Sequence, residues 1–106
     1  MPRFDYVCAR TAAEVAELLQ AHGAGARLLM GGTDLLPGLR MGKWAPRVVM
    51  DVKPLPGMCD VTYQEGVGLE VGAAVTMNTL ACHLGVAEHY PLLAQAAASV
   101  ASYQIR

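Results

Sequence analysis

The chain has 106 residues, of which 54% are hydrophobic and 16% are charged, and its mean hydropathy is +0.32. This length allows one small domain or a part of one, and the apolar composition excludes disorder as the main state. Eight Lys and Arg residues against nine Asp and Glu give a formal net charge of -1. The chain therefore lacks the basic excess that binding to a nucleic-acid backbone requires, and no nucleic-acid partner is predicted.

The sequence predicts a cytoplasmic protein without a membrane span. No apolar run reaches the ~18–20 residues that cross a bilayer, and no signal-type segment follows Met1. Cys8, Cys59 and Cys82 are widely spaced and include no C-x-x-C pair, so no disulfide framework is predicted. The histidines show no H-x-x-x-H spacing, and no metal site is predicted either.

The first half of the chain predicts a small parallel sheet with flanking helices. Residues 4–8 alternate with period two, as in a short strand, and the T-A-A-E sequence from Thr11 predicts a capping box that starts a helix. The apolar run at residues 27–30 is typical of a strand buried on both faces, which completes a β-α-β unit. Residues 47–52 predict the next strand. The predicted buried stripe of the helix comprises Val15, Leu18 and Leu19.

The second half predicts an antiparallel hairpin. The predicted strands at residues 61–64 and 67–71 flank the pair Glu65-Gly66, which is typical of a two-residue turn. The sequence as a whole thus indicates an α+β fold with an α/β-like start. A small parallel β-α-β sheet with flanking helices is followed by a short antiparallel hairpin and further helices.

Two helices are predicted after the hairpin. Thr76 is the expected N-cap of a helix over residues 77–84, closed by Gly85, and the last helix begins near Pro91. The apolar face predicted for the last helix comprises Leu92, Leu93, Ala96, Ala97 and Val100. No later element covers this face before the sequence ends, so we expect it to be exposed.

The segment M-G-G-T-D-L at residues 30–35 is the candidate binding site, because glycines between a strand and a helical turn leave backbone amides open to an anion. Thr33 adds a hydroxyl donor, whereas Asp34 would repel a phosphate unless its side chain caps the helix. An ordinary strand-to-helix turn is the alternative interpretation. Neither G-x-G-x-x-G after a strand nor G-x-x-x-x-G-K-[S/T] occurs.

Five segments together carry a resemblance to a known family. They are F-D-Y with the Thr11 helix, M-G-G-T-D-L-L-P at residues 30–37, V-M-D-V at residues 49–52, L-E-V-G-A-A-V-T at residues 69–76 and A-S-Y-Q-I-R at residues 101–106. In this order they resemble, from end to end, the N-terminal part of the FAD-binding subunit of molybdenum hydroxylases. That family includes xanthine dehydrogenase, aerobic carbon monoxide dehydrogenase and 4-hydroxybenzoyl-CoA reductase.

The resemblance implies the first part of a PCMH-type FAD-binding domain. Residues 1–53 would form a parallel β-α-β subdomain, and residues 58–106 would form the incomplete start of a second subdomain. In the family, a Thr-x-Gly-Gly-Asn loop follows the Gln-Ile-Arg run and closes over the cofactor. The sequence stops before that loop, so we expect FAD to bind the chain weakly or not at all and the chain alone to be inactive.

The resemblance also implies the site residues, none of which is catalytic or a metal ligand. Cofactor contacts are expected from two groups of residues. The diphosphate loop comprises Met30, Gly31, Gly32, Thr33, Asp34 and Leu35, and the second group comprises Gly72, Ala73, Thr76 and Gln104. The pair Thr33-Asp34 differs from the pair typical of carbon monoxide dehydrogenases, which favours another branch of the family.

The function implied is that of an electron-transfer subunit. The FAD would exchange electrons with the [2Fe-2S] clusters of a small subunit and with an external acceptor, and a large subunit would hold the molybdenum cofactor. Two alternatives from other classes stay open. One is a truncated interaction module without flavin, which would self-associate through the exposed last helix. The other is a domain that binds a phosphate ligand at the glycine loop.

Overall fold

The strands and helices follow the predicted order, except that one additional short helix precedes the last one. A computed structural model covers residues Met1–Arg106, and by their contacts these fall into two units, Met1–Pro56 and Gly57–Arg106. The first unit comprises β1 (Asp5–Cys8), α1 (Ala12–His22), a 3-10 turn (Gly23–Gly25), β2 (Ala26–Leu29), α2 (Leu35–Arg40) and β3 (Val48–Asp51). The second comprises β4 (Val61–Gln64), β5 (Gly68–Val71), α3 (Met77–Cys82), α4 (Leu84–His89) and α5 (Pro91–Ala98).

The sheet of the first unit has the order β1-β3-β2, and both strand pairs are parallel. All four residues of β3 are buried, which is typical of a central strand of a parallel sheet. The register places Cys8, Leu29 and Asp51 side by side. The segments that follow the three strands therefore begin at the same edge of the sheet.

The expectation that the second strand is buried on both faces is wrong. Leu28 in the middle of β2 is 43% exposed, because β2 lies at the edge of the sheet. The more apolar β3 takes the central place between β1 and β2, although it comes third in the sequence. An apolar run by itself does not distinguish an edge strand from a central one.

The predicted cap at the start of α1 is confirmed. Thr11 Oγ1 accepts a hydrogen bond from the amide of Glu14 at 3.2 Å. The carboxylate of Glu14 accepts from the amide of Arg10 at 3.1 Å, one residue before the expected Thr11 amide. In the predicted stripe, Val15 is buried, but Leu19 is 38% exposed.

The hairpin of the second unit has a loop one residue longer than predicted. Gln64 pairs with Gly68, which leaves Glu65, Gly66 and Val67 in the loop. Gly66 adopts a φ of +79° and the amide of Val67 donates to Gln64 O at 3.0 Å, so the chain turns before Val67 can join the strand.

One prediction for the helices after the hairpin is wrong. The helix capped by Thr76 ends at Cys82, because His83 has extended backbone angles, and Gly85 lies inside α4 instead of closing α3. The exposure expected for the apolar face of α5 is confirmed at Leu92, Leu93, Ala96 and Val100. Only Ala97 differs, because it is buried against Val75, Leu80 and Val86. No helix in the structure has both the length and the apolar character needed to cross a membrane.

Gly72 joins the end of β5 to the loop that precedes β4. Its amide donates to Asp60 O at 2.8 Å, and a Cβ atom at this position would overlap the carbonyl oxygens of Gly57 and Met58. The backbone therefore approaches so closely that no side chain fits between the two segments.

We expect Gly72→Ala to destabilise the fold by about 1–3 kcal/mol, because the backbone at Met58 must move to admit the methyl group. Gly25→Ala is the matched control, since the nearest atoms to its added Cβ lie at an ordinary 3.9–4.0 Å. Urea unfolding of both variants measures the difference. Equal free energies of unfolding for the two variants would contradict the close approach at Gly72.

Candidate functional site

The predicted glycine loop borders a cavity of about 530 Å³ at the carboxyl edge of the parallel sheet. All six residues predicted for the diphosphate loop line this cavity. The lining comprises Leu19, Ala26, Arg27, Leu28, Met30, Gly31, Gly32, Thr33, Asp34, Leu35 and Trp44. The carboxyl edge of an open parallel sheet is the usual place for ligand binding in such folds.

The fold requires glycine at only one of the two glycine positions in the loop. Gly32 has a φ of +76°, which favours glycine, and a Cβ atom there would lie 3.1 Å from Leu36 Cδ1. Gly31 has an ordinary φ, and no atom lies within 4 Å of the position a Cβ would take. Gly32 thus makes the turn, whereas Gly31 leaves backbone open to the cavity.

The loop offers a row of amide donors. The amide of Leu36 donates to Gly32 O at 3.0 Å and that of Gly38 to Asp34 O at 3.1 Å, whereas the amides of residues 31–35 donate to no backbone carbonyl. Such amides at the start of a helical turn donate hydrogen bonds to anion oxygens. Because α2 has only six residues, the donors themselves matter more here than a helix dipole.

Asp34 does not remove its charge from the loop. It occupies the N-cap position of α2, but its side chain makes no capping hydrogen bond, and the residue is exposed. The condition under which the sequence analysis expected Asp34 to tolerate a phosphate is therefore not met. An anion at the amides would have to keep its distance from this carboxylate or be balanced by a neighbouring cation.

Trp44 forms one wall of the cavity together with Arg27. The guanidinium carbon of Arg27 lies 4.6 Å from the centroid of the indole ring, and Lys43 Nζ lies 4.5 Å from it. The ring packs directly on Gly38, where a Cβ atom would overlap it. These contacts fix a half-buried aromatic surface with a basic group beside it.

A network that the sequence analysis missed lies at the same edge of the sheet. Asp51 ends the central strand and is only 9% exposed. Its Oδ2 accepts from the Tyr6 hydroxyl at 2.9 Å, and its Oδ1 accepts from the Lys53 amide at 3.0 Å and pairs with Lys53 Nζ at 2.8 Å. Lys53 Nζ also donates to Met30 O at 2.9 Å. The signal available in the sequence was a lone carboxylate at the end of the apolar run V-V-M.

The network shifts the pKa values of its members in opposite directions. The hydrogen bond from the Lys53 ammonium holds the pKa of Asp51 below its usual range, against the opposing effect of burial. Contacts with Cys8 Sγ and then with the Asp51 carboxylate raise the pKa of the Tyr6 phenol. Tyr6 therefore stays a neutral donor to a charged acceptor throughout the physiological range.

The second group of predicted residues lies within the second unit. Gly72 is packed against the backbone of Gly57 and Met58, and Thr76 caps α3 by accepting from the Thr79 amide at 3.1 Å. Ala73 and Gln104 are exposed. The structure brings the start of α3 to the C-terminal segment, since Asn78 Nδ2 donates to Tyr103 O at 3.0 Å and the Asn78 amide to Arg106 O at 3.1 Å.

The cysteines and histidines form no such site. No group of three or more His, Cys, Asp or Glu residues is arranged to hold a metal ion. The exposed cysteines form no disulfide. His89 stacks on Tyr63 with ring centroids 3.9 Å apart, and His83 lies against Gly85, so two of the histidines have packing contacts in the second unit.

Comparison with known proteins gives one consistent family. The family described as the FAD binding domain in molybdopterin dehydrogenase matches residues 2–106. The chain is 33% identical to the carbon monoxide dehydrogenase medium chain of Hydrogenophaga pseudoflava, over 99% of this chain and 36% of the relative. It is also 33% identical to the xanthine dehydrogenase FAD-binding subunit of Escherichia coli O157:H7, over 97% of this chain and 36% of the relative. These equal identities give no support to the expectation that Thr33-Asp34 sets the chain apart from carbon monoxide dehydrogenases.

Solved structures confirm the predicted fold class. A chain of the Hydrogenophaga pseudoflava carbon monoxide dehydrogenase that lacks the Mo-pyranopterin moiety of its molybdenum cofactor matches with a TM-score of 0.91 and 33% identity, over 99% of this chain and 36% of that chain. A chain of quinoline 2-oxidoreductase from Pseudomonas putida 86 matches with a TM-score of 0.87 and 29% identity, over 98% and 36% of the two chains. The chain thus spans about a third of the length of these relatives.

The Asp51 network implies that the stability of the fold depends on pH. Because the folded state holds the pKa of Asp51 below its unfolded value, the unfolded state takes up the proton first as pH falls. We expect the contribution of Asp51 to the wild-type free energy of unfolding to be constant near neutral pH and to decrease below about pH 4.

We expect Asp51→Asn to cost about 1–2 kcal/mol at pH 7 and to remove this part of the acid dependence, because Lys53 then loses its charged partner. Denaturant unfolding at pH 7 and pH 3 measures both effects. Asp5→Asn, an exposed change on the same sheet, is the control. An Asp51→Asn variant as acid-sensitive as the wild type would contradict the assigned role of this carboxylate.

Proposed function

Because the chain belongs to the family of FAD-binding domains in molybdopterin dehydrogenases, we propose that residues 30–35 bind the diphosphate of FAD. The observation that carries this proposal is the row of amides at residues 31–35, which donate to no backbone carbonyl and border a cavity. A diphosphate is rich in oxygens that accept hydrogen bonds, and backbone amides bind it without a positively charged side chain. FAD, when bound, supplies the redox chemistry, and the chain's own residues hold and orient it.

The residues present fit this cofactor. The open backbone at Gly31 leaves room for a phosphate beside the loop, and the left-handed conformation of Gly32 makes the turn. Met30 and Leu35 flank the loop on the cavity wall. Thr33 is exposed, so its hydroxyl can add a donor, and the basic residue Arg27 lines the same cavity as Asp34.

The second part of the proposed site comprises Gly72, Ala73, Thr76 and Gln104. Its support is the resemblance of their segments to the family, together with the exposure of Ala73 and Gln104. Gly72 acts indirectly, because its missing side chain lets β5 approach the preceding loop and so sets the path of the backbone toward Thr76. We propose the corresponding division of the chain into a parallel subdomain over residues 1–53 and the start of a second subdomain over residues 58–106.

At the level of the whole protein, we propose an electron-transfer subunit of a molybdenum hydroxylase-type oxidoreductase. The proposed FAD would exchange electrons with [2Fe-2S] clusters in a small subunit and with an external acceptor, while a large subunit holds the molybdenum cofactor. The support is that relatives are named as medium chains and FAD-binding subunits of dehydrogenases and of an aldehyde oxidoreductase. A cytoplasmic location belongs to this proposal, supported by an odd number of widely spaced cysteines.

The interaction-module alternative is not favoured, because the family match extends over residues 2–106. One residue of the face on which that alternative rested, Ala97, is buried against the second unit's own core. The exposed apolar residues of α5 include Leu92 and Leu93. The phosphate-ligand alternative shares the glycine loop with FAD, so the binding experiment must separate the two.

The test is calorimetric titration of the chain with FAD, ADP and FMN, with the fluorescence of Trp44 on the cavity wall as a second readout. We expect FAD to bind weakly, as the missing second loop implies, and to change the fluorescence of this single tryptophan. Gly31→Val should weaken FAD binding about tenfold or more without lowering the thermal midpoint, because the added side chain occupies open space in front of the amides.

Ala24→Val, an exposed change outside the cavity lining, is the control and should leave the affinity unaltered. Absence of FAD binding at millimolar concentration, or an unaltered affinity in Gly31→Val, would contradict the proposed site. Equal uptake of ADP, FMN and FAD would instead favour the phosphate-ligand alternative.

A further inference from the structure

The ammonium of Lys53 connects the candidate cofactor loop to the core of the parallel sheet. Lys53 Nζ donates to Met30 O at 2.9 Å and pairs with Asp51 Oδ1 at 2.8 Å. Met30 is the residue between the end of β2 and Gly31, so its carbonyl lies where the chain leaves the sheet and enters the loop. One cation thus joins the segment after β2 to the end of β3.

The position of this ammonium is fixed at both ends of the lysine. The backbone amide of Lys53 donates to the same Asp51 Oδ1 at 3.0 Å, so the carboxylate holds the base of the residue as well as its tip. The Tyr6 hydroxyl holds the other oxygen, Oδ2, from β1. All three strands of the sheet contribute to the arrangement, which costs Lys53 less side-chain entropy than an isolated surface pair would.

Few other hydrogen bonds hold the glycine loop on the side of β2. Its own backbone hydrogen bonds, from Leu36 to Gly32 O and from Gly38 to Asp34 O, lie on the helical side of the turn. On the strand side, Met30 O is anchored by the lysine. A loop with two glycines in succession has many accessible backbone conformations, so an anchor at its start reduces the entropy that ligand binding would otherwise cost.

We propose that Lys53 is a positioning residue that holds the start of the glycine loop in the conformation that presents its amides to the cofactor, with Tyr6 and Asp51 as its anchor. The inference rests on the proposed FAD site, but its structural part concerns the loop before any cofactor arrives. Lys53 acts through Met30 O and needs no contact with FAD for this role.

The experiment compares Lys53→Met, Lys53→Arg and Arg10→Met in the full chain without cofactor. Arg10→Met is the charge-matched control on an exposed residue of the same unit. Amide hydrogen exchange is followed by NMR at Leu36 and Gly38, the two bonded amides of the turn, with the amides of β3 as an internal reference.

Lys53→Met should raise exchange at Leu36 and Gly38 about tenfold more than at β3, because a charged hydrogen bond at the loop entry is lost in addition to the ion pair with Asp51. Lys53→Arg should restore most of the protection, and the control should match the wild type. In the binding assay, Lys53→Met should weaken FAD binding about tenfold. Unaltered exchange at both turn amides would overturn the proposal.

A rise in exchange that includes β3 equally would also overturn it, because that result indicates general stability instead of positioning. Tyr6→Phe tests the anchor in a variant that keeps the lysine. It should also raise exchange at the turn amides, but by less than Lys53→Met does. If the wild type fails to bind FAD, the proposed function is wrong, whereas the exchange data still decide the role of Lys53.

Discussion

A buried carboxylate at the end of the central strand is the constraint on which the first unit depends. Asp51 is 9% exposed, and a charge so placed is costly unless several donors satisfy it. Tyr6 from β1 and Lys53 from the segment after β3 provide those donors. Because their geometry has to converge on one carboxylate, the ends of the strands are fixed relative to each other.

This constraint extends to the loop through Lys53. The lysine that compensates the charge of Asp51 also donates a hydrogen bond to the carbonyl of Met30. The compensation of the buried charge and the position of the loop entry therefore depend on the same residue. The cavity then forms between this fixed entry and Trp44, whose ring rests on Gly38. The glycine backbone lies between these two sides of the cavity.

Local signals in the sequence predicted the elements well. The Thr11 and Thr76 caps and the strand-turn-helix around Gly31 each depend on residues within one turn of each other. What failed depended on distant partners. The exposure of Leu28 follows from β3 entering between two earlier strands, and the buried side of α5 follows from which helices it meets. Neither choice is encoded in the periodicity of the segment itself.

The candidate site also has residues that local sequence signals predict and residues that depend on distant partners. The loop residues from Met30 to Leu35 could be recognised in the sequence, since glycines in a strand-to-helix turn are a local pattern. Lys53 and Tyr6 could not, because Tyr6 and Asp51 are 45 residues apart and nothing local joins Lys53 to Met30. Only the parallel register of β1, β3 and β2 brings them to one edge.

The glycines show why a motif alone does not assign a role. Gly31, Gly32 and Gly72 all lie in segments that resemble the same family, yet the fold requires glycine only at Gly32 and Gly72. Gly72 is required by the carbonyl oxygens of Gly57 and Met58, and Gly32 by a left-handed turn, so both would be needed without any ligand. At Gly31 nothing in the fold excludes a side chain. For Gly31, the proposed approach of the FAD diphosphate to the backbone is therefore the physical reason offered for glycine.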